Sequence, residues 1–202
     1  MSTYTKSIGQ TIMAFILCVV TNLSINAQCW NKLVTGSLAF HSIGIRANGD
    51  LYGWGVNSYG QLGDGTPISK NAPVKIGTAT WRNAGCGYLH TIAIKSDGTF
   101  WAWGRNNFGQ LGDGTTVDKR SPVQINTATN WKLVAAGENF SMAIKTDGTL
   151  WSWGKGDLGQ LGLQTISQQN TPAQVGTATD WAFVSCGQYF AVALKTNGTL
   201  WS

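Results

Sequence analysis

The chain has 202 residues with 14 basic and 9 acidic side chains, giving a formal charge of +5, and this length allows one domain or two small ones. Only 11% of residues are charged, while 26 are Gly and 10 are Trp, a balance that suits short strands joined by tight turns and speaks against long amphipathic helices. Basic residues are scattered singly, and the adjacent pair Lys119-Arg120 is too small for the stripe that nucleic-acid binding needs.

In chain order, the first feature is the apolar run Ile12 to Val20, behind a stretch whose only charged side chain is Lys6. It is too short for a membrane span of about 20 residues, and a single-pass anchor is the alternative reading. The run leads into Ser24-Ile25-Asn26-Ala27-Gln28, so residues 1–27 are predicted to be a signal peptide cleaved after Ala27. Neither Leu17 before Cys18 nor Gln28 before Cys29 is the small residue that cysteine lipidation needs. Export places the protein outside the cell, in the periplasm or on the cell surface, with no membrane contact after cleavage. Losing Lys6 lowers the formal charge from +5 to +4. The remaining Cys29, Cys86 and Cys186 are an odd set that cannot all pair within one chain, and no metal-ligand spacing is present.

Residues 28–202 repeat themselves with a period of about 50, the range of propellers and solenoids. Trp81, Trp131 and Trp181 fall 50 apart, with Trp30 preceding them by 51, and Trp54, Trp103 and Trp153 form a second series. The units are 30–80, 81–130, 131–180 and the incomplete 181–202. Each reads as an antiparallel meander. In the third, Trp131 to Gly137 and Phe140 to Lys145 are strands, Asp147-Gly148 suits a two-residue hairpin with positive φ, and Thr149 to Trp153 runs back. A fourth, outer strand passes through 73–76, 122–125 and 172–175 with Pro73, Pro122 and Pro172, whose missing amide donor is tolerated on an edge strand or at a strand's first residue. Inner strands such as Ile92-Ala93-Ile94 are apolar on both faces, as sheets stacked between neighbours require. The expected fold is all-β, a β-propeller of four-stranded blades with about three and a half repeats. The sequence stops at Leu200-Trp201-Ser202, inside an expected strand, so further repeats or self-association are expected to close the ring.

The segments Trp54 to Gly63 and Trp103 to Gly112, with the pattern W-G-x-N-x-x-G-Q-L-G, and the strand Gly87 to Ile94 resemble the regulator of chromosome condensation repeat family. That resemblance covers residues 30–202 and implies a seven-bladed propeller. It also implies one of several activities: nucleotide exchange on a chromatin-bound GTPase, inhibition of secreted enzymes, or surface attachment. An exported chain would meet neither the GTPase nor chromatin. The third unit departs from the pattern, with Gly156 in place of asparagine and Leu163 where Asp64 and Asp113 stand.

No residue set points to catalysis. His41 and His90 lie 13 residues before Trp54 and Trp103, and Phe140 and Phe190 take the same place in later units, which marks a packing position. Asp64-Gly65 and Asp113-Gly114 offer too few carboxylates for calcium. Gln61, Gln110 and Gln160 recur in phase and are read as structural side chains bonding backbone groups between strands. No glycine loop opens a helix in the manner of a phosphate site, so neither cofactor nor metal is expected. Trp54, Trp103 and Trp153 are read as core. Function is expected where the units differ: at Tyr59, Phe108 and Leu158, and in loops 68–71, 117–120 and 166–170 with Lys70, Lys119 and Arg120. The leading reading is a secreted scaffold that binds a protein through these blade loops. The alternative is a carbohydrate-binding or accessory module of a larger secreted enzyme.

Overall fold

The computed structural model describes residues 29–36 and 38–202, so the signal-peptide segment and its boundary at Ala27 lie outside the described residues. The first unit is a meander of β1 (Trp30–Thr35), β2 (His41–Arg46), β3 (Asp50–Gly55) and the first part of β4 (Lys70–Cys86). The second continues from β4 into β5 (His90–Lys95), β6 (Phe100–Gly104) and β7 (Lys119–Gln124). The third comprises β8 (Trp131–Ala136), β9 (Phe140–Lys145), β10 (Leu150–Gly154) and β11 (Gln169–Gln174). In the fourth are β12 (Trp181–Cys186), β13 (Ala191–Lys195) and β14 (Leu200–Trp201). Every pairing is antiparallel. The 17-residue β4 serves two blades: Lys70 to Thr80 pairs with β3 in a shifting register, and Trp81 onward pairs with β5. Hydrogen bonding therefore runs unbroken through seven strands, whereas later blades are joined by short loops.

Successive side chains of a strand face opposite sides, and this alternation divides each inner strand between two cores. Ile43, Ile45 and Leu51 of the first blade pack on Trp81, Ala84, Ala93 and Trp103 of the second. Ile92, Ile94 and Phe100 of the second meet Trp131, Val134, Ala143 and Trp153 of the third. Phe140, Met142, Ile144 and Leu150 meet Trp181, Val184 and Ala193 of the fourth. On the second strand of each blade the large residues, Ile92 and Ile94 or Met142 and Ile144, face forward, while Ala93, Ala143 and Ala193 face back toward the preceding blade and leave room beside the tryptophans that also face that way. That size alternation is what lets stacked sheets interlock at close-packed density. On the forward face of the fourth unit, Phe190 is 60% exposed where Phe140 is 1% exposed.

The hairpins differ in one detail from the two-residue turn expected. The Gly148 N–H bonds the Lys145 carbonyl at 3.0 Å, and the Lys145 N–H bonds the Thr149 carbonyl at 3.0 Å. No non-glycine residue among those described has positive φ, and Gly148 sits at +78°. The loop is thus three residues, Thr146-Asp147-Gly148, with the glycine alone in the left-handed region. The Asp147 carboxylate accepts the Thr149 N–H at 3.0 Å and its hydroxyl at 2.6 Å, which supplies the turn's shape without a left-handed aspartate.

Candidate functional site at the blade boundaries

Each W-G-x-N-x-x-G-Q-L-G segment is a loop folded around a buried asparagine. Asn57 donates from Nδ2 to Asp64 Oδ1 at 3.0 Å, the Thr66 carbonyl at 2.8 Å and the Ile68 carbonyl at 3.2 Å, while its Oδ1 accepts the Leu62 N–H at 2.9 Å. Asn106 repeats this with Asp113, Thr115 and Leu111. Lys70 and Lys119 close the networks as ion pairs to Asp64 at 3.1 Å and Asp113 at 3.3 Å. Burial pushes the Asp64 carboxyl up, but bonds from Thr66, Lys70 and Asn57 outweigh it and hold the group below the usual carboxylate range. These two lysines, expected to face a partner, are therefore tied into the framework of their own loops. The third unit lacks the whole trio, with Gly156, Leu163 and Gln169 at the matching places.

Replacing Asn106 by Ala removes all these bonds at once and strands the Leu111 amide, at an expected cost of about 1–3 kcal/mol. Limited proteolysis should then cut the second loop as readily as loop 163–168 of the third unit, which in the wild-type chain should be nicked first. Cleavage of all three loops at equal rates before substitution contradicts the assigned role of the trio.

The in-phase glutamines do less than expected with their side chains and more with their backbones. Gln61 Oε1 accepts the Tyr59 N–H at 3.0 Å, Gln110 Oε1 that of Phe108 at 2.9 Å, and Gln160 Oε1 that of Leu158 at 2.9 Å. Each bond shapes its own turn and none crosses between strands. The carbonyl of Gln61 instead reaches the next blade, accepting Trp103 Nε1–H at 2.9 Å and the Thr91 hydroxyl at 2.7 Å. Gln110 receives Trp153 Nε1–H at 2.9 Å and the Ser141 hydroxyl at 2.8 Å in the same way.

The histidines extend these stitches. His41 Nε2 lies 2.7 Å from the Thr91 hydroxyl oxygen and His90 Nε2 2.9 Å from that of Ser141. Because each hydroxyl proton is given to a glutamine carbonyl, Nε2–H must be the donor. Burial lowers the His41 pKa to about 4, and burial together with the repulsion of His41 lowers that of His90 to about 3. Both rings are neutral framework donors. Cys86 is a buried thiol whose pKa is pushed up by burial to about 12, and Cys186 is shifted in the same direction. No disulfide joins them. Among the described residues, no group of three metal-ligating side chains occurs, and no helix is long and apolar enough to cross a membrane.

One recurrent cluster was not foreseen. In every unit a cation lies between two aromatic rings: Arg46 with Trp30 and Tyr52, Lys95 with Trp81 and Trp101, Lys145 with Trp131 and Trp151, Lys195 with Trp181 and Trp201. Lys95 Nζ sits 3.4 Å from the Trp101 ring centre, a cation–π contact that covers that ring's face. The signal was available, since Lys95, Lys145 and Lys195 recur every 50 residues.

Residues that vary between units lie at the blade boundaries. Between the first and second blades, Tyr59 lies under the Arg105 guanidinium at 5.0 Å, and a groove of about 590 Å³ is lined by Ser58, Tyr59, Asn107, Thr116, Val117, Asp118 and Arg120. Gly60 is pressed against Arg120: a Cβ there would stand 2.5 Å from Arg120 Cα, and its φ of +77° favours glycine in any case. The next boundary pairs Phe108 with Lys155 at 5.3 Å. Leu158, the third of the series, is 62% exposed. Trp103 and Trp153 are fully buried and Trp54 is half-buried, so the first two offer no face to a sugar.

Comparison with known proteins matches this architecture. The solved structure of human WBSCR16 superposes with a TM-score of 0.76 at 20% identity, over 86% of this chain and 47% of that one. Prp20p from Saccharomyces cerevisiae, in a structure described with its binding properties to Gsp1p and histones, gives 0.69 at 24% identity over 80% and 42%. Yeast RCC1 (Prp20) with Kap60 bound gives 0.74 at 21% over 88% and 44%. The chain thus spans a little under half the length of these propellers, and the identities establish the fold alone. The comparison with curated proteins found no match. The family model described as the Regulator of chromosome condensation (RCC1) repeat matches residues 48–94, 97–144 and 147–194, and a second model of that repeat matches 82–110 and 131–160. With the first model covering more than half of its residues, the chain belongs to the Regulator of chromosome condensation (RCC1) repeat family.

Proposed function

We propose that the chain is an exported, non-catalytic scaffold that binds a protein partner through the loops at its blade boundaries. The observation that carries this is a division of labour along each repeat. Residues that stay constant or nearly so between units, such as Trp103, Gln110 and His90, are buried and hydrogen-bonded across blades, whereas residues that differ between units, such as Arg120 and Leu158, are exposed at the blade boundaries. Variation on an invariant frame is how repeat scaffolds acquire partners. The solved relatives whose descriptions mention Gsp1p, histones and Kap60 were studied with protein partners. The framework role of both histidines supports a non-catalytic reading, and Lys95 and Lys145 cover a face of Trp101 and Trp151, which weighs against those two rings as a sugar platform. The apolar forward face of the fourth unit supports a further sheet of the same repeat type packing there in the working assembly.

The test is site-specific photo-crosslinking in the native host, with the photoreactive residue at Tyr59, at Phe108, or at the hairpin tip Asp97. A scaffold that binds through its grooves should give a discrete adduct from the first two positions and none from Asp97. Adducts from Asp97 alone would overturn the assignment. The mass of the exported product, starting at Gln28, checks the export half of the proposal.

A further inference from the structure

The boundary between the second and third blades repeats the ring-and-cation contact of the first but not its charge. At the second boundary Lys155 is neutralised by Asp157 at 3.3 Å, and Asn170 Oδ1 accepts Gln168 Nε2–H at 2.7 Å. In the first groove the residue matching Asp157 is Asn107 and the one matching Asn170 is Arg120. Arg105 stacks on Tyr59, and neither Arg105 nor Arg120 has a carboxylate partner within ion-pair distance among the described residues. Asp118 also lines the groove, and its Oδ1 is engaged by the Asn106 N–H at 2.7 Å. Counting Arg105, which lies over the groove-lining Tyr59, together with Arg120 against Asp118 gives the first boundary a net charge of +1, whereas Lys155 and Asp157 cancel at the second.

Resting on the reading of the chain as a protein-binding scaffold, we propose that the groove between the first two blades is a receptor for an acidic segment of the partner. One Asp or Glu carboxylate would be held between Arg105 and Arg120, with the Tyr59 ring as an apolar wall. Guanidinium groups suit this task because their planar donor fork matches a carboxylate's two oxygens. Unpaired guanidinium groups in a concave site also focus potential onto an incoming anion. A nucleic acid fits less well. A polyanion continuing along the blades to the next boundary would meet Asp157, and it would find no continuous basic track.

The experiment uses the whole chain and a fluorescein-labelled peptide of alternating Glu and Gly, followed by anisotropy, with the Gln-Gly peptide, inorganic phosphate and a single-stranded oligonucleotide as competitors. The Glu peptide should bind and weaken as salt rises. Arg120→Gln and Arg105→Gln should each weaken it by about tenfold or more, while Lys155→Gln leaves it unchanged. Asp157→Asn with Asn170→Arg should raise the stoichiometry by building the same charge arrangement at the second boundary. Equal binding of the Gln peptide, or retention after both arginines are replaced, overturns the acidic-segment assignment. So does tighter binding by the oligonucleotide, or displacement by phosphate at the peptide's own concentration. If the photo-crosslinked adduct at Tyr59 survives the double substitution, the scaffold reading stands while this assignment falls. If neither adduct nor peptide binding is seen, both fall together.

Discussion

Replacing Trp103 by alanine is expected to lower the unfolding free energy by about 3–5 kcal/mol, the range for truncating a large aromatic in a packed core. Few single changes in this chain should cost more. Trp103 is fully buried in the core between the first and second blades, and its indole N–H is one of two donors that hold the Gln61 carbonyl. Truncation opens a cavity and leaves that carbonyl short of a partner, two penalties that add. Domains of this kind have about 5–15 kcal/mol in total, so the loss is a large share of what holds the fold. Trp103→Phe keeps most of the volume and removes the donor, and should cost about 1–3 kcal/mol. Trp54 provides the control. It is only half-buried, and its alanine variant should shift the denaturation midpoint by a fraction of the Trp103 effect. Equal shifts at 54 and 103 would contradict the assignment of the inter-blade stitch.

Lowering the pH should destabilise the fold well before its carboxylates titrate. His41 and His90 have folded-state pKa values of about 4 and about 3, against 6.5 for an unperturbed imidazole. In that window the unfolded chain binds protons that the folded chain refuses, so stability rises with pH. The contribution is fully present above about pH 6.5 and is lost as the pH falls toward the folded values. Each histidine should cost about 1.4 kcal/mol per pH unit through this range. The aspartates act in the same direction but lower, because the depressed values of Asp64 and Asp113 place their loss below the ordinary carboxylate range. His90→Phe separates the two. Phenylalanine already occupies the matching position at Phe140, so the variant should fold and show about half the wild-type slope between pH 4.5 and 6.5. An unchanged slope would show that His90 does not carry the acid sensitivity.

The fold was legible because its determinants repeat. Trp81, Trp131 and Trp181 at one interval, and glycine after Asn or Asp in every hairpin, each read the same way several times over. The interchange of histidine and phenylalanine at one position marked His41 and His90 as framework, but burial alone could not reveal that their Nε2–H groups bond the following blade. That contact joins residues 50 apart and exists only once the sheets stack. The ion pairs of Lys70 and Lys119 could have been read from the third unit, where Lys, Asp and Asn are lost together. The glutamine side chains were misplaced because a repeated polar residue reports that it is structural without saying which backbone group it meets. The grooves were visible only as variable positions, Tyr59, Phe108 and Arg120. Their charge difference needed the pairing of Tyr59 with Arg105, which no spacing within one repeat shows.

The central claim is that the frame holds the fold while the first groove holds the partner. Its most direct test is one double variant, Arg105→Gln with Arg120→Gln, read out at once for thermal unfolding and for binding of the Glu-Gly peptide. The expected result is an unchanged Tm with binding lost. A lowered Tm with binding retained would contradict it, because the two arginines would then belong to the frame.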